Sequence, residues 1–130
     1  MRELKKIIVH CSASPNERDI GAKEIREWHV KERGWSDIGY HYVIRRNGTV
    51  EKGRDVKRAG AHCEGENKAS IGICLVGLDK FNPEQFEALR QLIKDLRAKY
   101  GNLPAFEHNV FPSAKKQGKT CPNFKLNDVL

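Results

Sequence analysis

The stretch Ser70-Ile71-Gly72-Ile73-Cys74-Leu75-Val76 decides the fold of this 130-residue chain. After Ser70 it is continuously apolar, which is typical of a central strand that is covered on both faces of a sheet. A second short run, Lys5 to Cys11, is rich in β-branched residues and predicts another buried strand. Neither run is long enough to span a bilayer. The sequence therefore predicts a sheet with a buried centre.

Two further segments predict helices. The first runs from Ala22 to Arg33, and Gly34 is placed to end it. The second begins after Asn82, a favoured N-terminal cap, and carries Pro83 at its first position. Its apolar residues recur at helical spacing until Gly101, so one face should pack in the core.

A hairpin and a short strand complete the predicted elements. Asn47-Gly48 predicts a type I′ turn. Strand alternation before it would place Tyr40, Tyr42 and Ile44 on one face, and His41 and Val43 on the other. Ala105 to His108 predicts a short strand, and residues 109–123 predict an irregular tail. We expect an α/β (α+β) fold in which helices flank a central, mostly mixed sheet.

Composition narrows the classes of function. The length fits a single domain spanning residues 1–130, and we expect a monomer. The net charge of +7 permits an anionic partner, but the aromatic residues fall at core or turn positions, so no nucleic-acid partner is expected. No segment predicts a secretory signal or a membrane span. We therefore expect synthesis in the reducing cytoplasm, where the four cysteines would not form a disulfide framework.

Three residues could bind a metal. His10 follows the first predicted strand, His108 ends another, and Cys121 lies in a loop further on. Two imidazoles and a thiolate form a known catalytic zinc set that leaves a fourth position for water. Spacing alone leaves other interpretations open, namely structural histidines with a core cysteine, or a cysteine hydrolase that pairs Cys121 with His108.

Several ordered motifs resemble those of one enzyme family. They are Ile8-Val9-His10-Cys11-Ser12-Ala13, Ile25-Arg26-Glu27-Trp28-His29, Gly34-Trp35-Ser36-Asp37-Ile38-Gly39-Tyr40-His41-Tyr42, Asn47-Gly48-Thr49-Val50-Glu51-Lys52-Gly53-Arg54, Gly60-Ala61-His62, residues 70–77 and Lys119-Thr120-Cys121-Pro122. Together they resemble the type 2 N-acetylmuramoyl-L-alanine amidases, above all the small phage lysozyme-amidases. Peptidoglycan recognition proteins share the fold of this family.

The resemblance implies an activity and assigns roles. It implies hydrolysis of the amide between N-acetylmuramic acid and L-alanine in peptidoglycan, with one zinc ion held in a surface cleft by His10, His108 and Cys121. Tyr40 and Lys119 match the catalytic tyrosine and lysine of the family. His62 falls in the loop that borders the substrate groove in relatives. We expect His41, beside Tyr40, to be a structural group or a group that supports a ligand from behind, and the helical His29 to be a surface or packing residue.

The same resemblance is compatible with other functions. Some peptidoglycan recognition proteins bind wall fragments without cleaving them, and a cytoplasmic amidase that recycles muropeptides would need no signal peptide either. The match to phage enzymes favours a phage or prophage endolysin that reaches the wall after holin-type release. One departure is Asn109, which stands where relatives commonly place a carboxylate beside the second histidine ligand.

Overall fold

Five strands form one sheet in the computed structural model, which describes residues 2–130. In chain order they are β1 (Lys6–Cys11), β2 (Tyr42–Ile44), β3 (Val50–Lys52), β4 (Ser70–Leu75) and β5 (Ala105–Glu107). Their order across the sheet is β3-β2-β4-β1-β5. The β2–β3 pair is antiparallel and the other pairs are parallel, so the sheet is mixed. All six residues of β4 are buried, as the apolar run predicts.

Of the helices, the first two begin and end close to the residues that the sequence predicts. They are α1 (Ala22–Glu27), which continues as a π-helical turn over Trp28–Glu32, then α2 (Pro83–Tyr100), α3 (Pro112–Lys116) and α4 (Leu126–Val129). At the start of α2, the Gln85 side-chain oxygen accepts a hydrogen bond from the Asn82 backbone N–H at 3.0 Å, which is one of the two bonds of a capping box. No helix within residues 2–130 is long and apolar enough to cross a bilayer.

Each face of the sheet has its own apolar layer. On one face, Val9, Ile73 and their neighbours pack against Leu89 and Ile93 of α2. On the other face, Cys74 packs with residues of α1 and of the loops beside it. Burial on both faces explains why β1 and β4 lack polar alternation. This layered arrangement confirms the predicted fold class.

Two local predictions were wrong. The hairpin turn is not type I′, because that turn needs positive φ at two residues and only Gly48, at 89°, has it in this turn. Instead, the Gly48 N–H donates to the Arg45 carbonyl, and Arg45 pairs with Thr49, which gives a three-residue loop. The tail predicted to be irregular contains α3, since Pro112 at the first helical position favours a helix start.

The face predicted for Tyr40 from strand alternation was also wrong. Regular strand geometry begins only at Tyr42, and the preceding residues bend. Tyr42 and Ile44 consequently pack on the α2 side of the sheet, whereas Tyr40 packs on the opposite side with Val43. The bend therefore brings Tyr40 to the same face as His10.

Candidate active site

His10, His108 and Cys121 converge at one edge of the sheet. His10 lies near the carboxyl end of β1, and His108 directly follows the parallel neighbour β5. One donor atom from each histidine and the Cys121 sulfur all lie within 4.8 Å of one another. The three residues form a possible metal site.

The chemistry of these donors fits a zinc ion. The His108 Nδ1 atom is buried and has no hydrogen-bond partner among the described residues. A buried polar atom without a partner lowers the stability of the fold. Binding a metal ion is one way for such an atom to gain a partner. The set also contains the imidazoles and the sulfur that zinc prefers, and three protein ligands leave one position open.

The loop that carries Cys121 is tied to His108 through Asn109. The Asn109 backbone N–H donates to the Cys121 carbonyl, and the side-chain amide donates to the Thr120 carbonyl, each at 3.0 Å. A carboxylate could not donate the second of these hydrogen bonds. Asn109 thus holds the loop through a bond that its amide alone can make.

Cys121 is also anchored to β1. The Cys11 backbone N–H donates to the Cys121 sulfur at 2.8 Å. The neighbouring Cys11 thiol and burial raise the pKa of Cys121 above its ordinary value when no metal is bound. A metal ion must therefore displace a firmly held proton from this sulfur. All four cysteines are free thiols.

A cavity of about 350 Å³ opens above the three donors. Tyr40 and Lys119 both line it, so the structure brings all five residues of the predicted metal and catalytic sets to one place. The Tyr40 ring lies 5.1 Å from the His10 ring, centroid to centroid. Lys119 is exposed at the rim, where its charge adds to the effect of burial in lowering the pKa of His108.

Burial controls the protonation states of the other groups at the cavity floor. It raises the pKa of Tyr40 well above the ordinary value, and the Cys74 and Cys121 thiols add to the effect. It lowers the pKa of His10 well below the ordinary value. Near neutral pH, Tyr40 is therefore a neutral hydrogen-bond donor and His10 a neutral imidazole.

The remaining histidines differ in their contacts. The His41 ring accepts a hydrogen bond from the Gly72 N–H at 3.0 Å and donates one to the Arg58 carbonyl at 2.8 Å, so it links two segments behind the cavity. The His29 ring accepts a hydrogen bond from the Gly39 N–H at 2.8 Å. It packs against the Tyr40 ring, with 5.5 Å between the two ring centroids. Both histidines are buried, and neither contacts the three candidate ligands.

His62 borders the cavity, but its ring is largely enclosed. Its exposure is 8%, and both ring nitrogens are engaged, one by His10 and the other by Ser70. The residue therefore faces the candidate ligand His10 as well as the cavity. The motifs do not indicate this contact, although a glycine within a buried strand, here Gly72, signals that another group approaches closely.

Comparison with known proteins identifies the family. The sequence profile described as N-acetylmuramoyl-L-alanine amidase matches residues 1–124. The chain belongs to this family. This amidase is 46% identical over 134 aligned residues to the endolysin of Klebsiella phage KP32, with 96% of this chain and 84% of the phage protein covered.

Solved structures agree with the assignment of the amidase. The N-acetylmuramoyl-L-alanine amidase LysC from Clostridium intestinale URNW superimposes with a TM-score of 0.82 at 30% identity, covering 98% of this chain and 83% of that one. Bumblebee PGRP-SA gives a TM-score of 0.81 at 25% identity, covering 98% and 80%. The predicted family, fold and amidase activity on peptidoglycan are thereby confirmed.

Proposed function

We propose that residues 1–130 act as one zinc-dependent domain that cleaves the amide between N-acetylmuramic acid and L-alanine, and that the chain serves as a phage or prophage endolysin. The observation that carries this proposal is the convergence of His10, His108 and Cys121 under a cavity that Tyr40 and Lys119 also line. Similarity to a phage endolysin over most of both chains supports the biological role.

The metal would be held by two imidazoles and a thiolate. When bound, a zinc ion supplies Lewis acidity, which polarises a carbonyl and lowers the pKa of a water molecule to about 7. The Cys11 N–H that points at the Cys121 sulfur would stabilise the thiolate once the proton has left. The neutral His10 ring keeps a lone pair available as a ligand.

Tyr40 and Lys119 would act on the substrate. Because its pKa is raised, the Tyr40 phenol keeps its proton near neutral pH and cannot act as a base there. We infer that Tyr40 donates a hydrogen bond to the oxyanion that forms when the carbonyl is attacked. The exposed Lys119 ammonium at the rim would stabilise the same negative charge.

A cysteine hydrolase is less well supported. A nucleophilic cysteine needs a lowered pKa, usually through a charged histidine beside it. In this chain the neighbouring thiol and burial raise the pKa of Cys121, and burial lowers that of His108. These opposite shifts favour a role for both residues as metal ligands.

The test is digestion of purified peptidoglycan with and without a chelator, followed by mass spectrometry of the products. We expect new free amino termini on L-alanine, which chelation abolishes and added zinc restores. New reducing sugar ends would contradict the proposal. A parallel digestion of soluble muropeptides asks whether intact wall, which an endolysin would meet after holin-type release, is the preferred substrate.

A further inference from the structure

A buried chain of hydrogen bonds leads away from His10 behind the candidate metal site. The His10 Nε2 atom lies 2.8 Å from the His62 Nδ1 atom. The other ring nitrogen of His62, Nε2, lies 3.2 Å from the Ser70 hydroxyl. That hydroxyl in turn donates to the Glu66 backbone carbonyl at 2.7 Å. Four groups are thus connected in one line, which ends at a carbonyl oxygen.

The carbonyl sets the direction of every bond in the chain. It can only accept, so the single hydroxyl proton of Ser70 points to Glu66. The His62 Nε2 atom must then donate its own proton to the Ser70 oxygen, which leaves His62 Nδ1 as a lone-pair acceptor in the neutral ring. His10 must therefore donate from Nε2, and its lone pair is on Nδ1.

The surrounding chain makes room for the His62 ring and fixes its backbone. A side chain at Gly72 would lie 2.6 Å from the His62 Cγ atom, and one at Gly60 would lie 2.7 Å from its Cδ2 atom. The Asn67 side-chain oxygen accepts hydrogen bonds from the backbone N–H groups of His62 and Cys63, each at 2.9 Å. Two glycines and an asparagine thus define where the ring lies.

We propose that His62 is a positioning residue that, with Ser70, fixes the proton of His10 on Nε2 and so presents His10 Nδ1 to the metal. This inference rests on the proposed zinc site and adds to it the group that orients one ligand. Such outer contacts of ligating histidines fix the tautomer and ring orientation, and their loss typically weakens metal binding tenfold to a hundredfold.

The first test reads the tautomer of His10 in the metal-free protein by two-dimensional NMR that correlates ring protons with ring nitrogens. We expect the proton on Nε2 in the wild type. Ser70→Ala removes the acceptor that holds His62, so the His10 signals should shift toward a mixture of both tautomers. A wild-type His10 with its proton on Nδ1 would overturn the inference, and so would a Ser70→Ala variant that keeps the pure Nε2–H form.

The second test measures zinc affinity by competition with a chromogenic chelator. His62→Phe removes the acceptor, whereas His62→Asn keeps an oxygen near the position of Nδ1. We expect His62→Phe to weaken zinc binding roughly tenfold to a hundredfold, and His62→Asn to restore most of the loss. The matched control is His29→Asn, at a buried histidine that contacts Gly39 and Tyr40 but neither His62 nor the proposed ligands, and it should leave zinc affinity unchanged.

The outcomes separate this inference from the proposed function. Equal zinc affinity in the wild type and His62→Phe would overturn the positioning role while leaving the zinc site intact. Equal losses in His62→Phe and His29→Asn would also overturn it, since they would reflect general destabilisation. If the wild type bound no zinc, the proposed function would fail, and the NMR result on the metal-free protein would still decide the tautomer.

Discussion

The contact between Gly72 and His62 provides a quantitative test of how the site is built. In Gly72→Ala the new methyl carbon would lie 2.6 to 2.8 Å from three atoms of the His62 ring, whereas ordinary contacts begin at 3.4 Å. The ring must retreat by up to about 0.8 Å, which is enough to disrupt its 2.8 Å contact with His10. Overpacking of this kind costs about 1–3 kcal/mol.

A double-mutant cycle isolates this contact. Urea unfolding of the chelator-treated protein should show a loss of about 1–3 kcal/mol for Gly72→Ala in the wild-type background. In a His62→Ala background the obstructing ring is absent, so the same substitution should cost close to nothing. An equal cost in both backgrounds would refute the steric argument. It would mean that the glycine is needed for its backbone and not for the space above it.

Three further predictions address the catalytic group, the loop and the pH dependence. Tyr40→Phe should lower kcat by roughly 10²–10³ without changing zinc affinity, because only an oxyanion donor is lost; an unchanged rate in a wall-digestion assay would exclude that role. Asn109→Asp replaces the amide that donates a hydrogen bond to the Thr120 carbonyl with a group that can only accept. Zinc binding, measured by chelator competition, should therefore weaken roughly tenfold. Wild-type zinc affinity in this variant would show that the hydrogen bond does not hold the loop. Burial lowers the pKa of His41 from 6.5 to about 4. Between these two pH values the unfolded chain binds more protons than the folded chain, so the free energy of unfolding decreases as the pH falls. Lowering the pH from 7 to 5 should reduce the free energy of unfolding in urea by about 2 kcal/mol through this histidine. A His41→Asn variant with the wild-type pH dependence would contradict this role of His41.

Local signals predicted much of the fold. The apolar runs of β1 and β4 and the cap at Asn82 act over a few residues, so their structural consequences could be read directly from the sequence. The hairpin turn and the position of Tyr40 could not be predicted in this way. A bend in the residues before Tyr42 overrides strand alternation there, and no single residue type encodes that bend.

The candidate site depended on contacts that are distant in sequence. Cys121 receives a hydrogen bond from Cys11, which lies 110 residues away, and spacing alone gave no reason to pair them. Family motifs indicated the residues, but not the connections between them. The contact of His62 with His10 became visible only when the loop was placed over Gly72. Long-range packing therefore determined the parts of the site that the sequence left open.

A zinc titration of the metal-free protein tests the proposed metal site most directly, if bound metal and amide cleavage are followed at the same time. We expect one zinc ion to bind per chain and amidase activity to reach its maximum at one equivalent. Cys121→Ser should lose both the tight binding and the cleavage. Full activity in the metal-free protein, or in Cys121→Ser, would contradict the claim that His10, His108 and Cys121 hold a catalytic zinc ion.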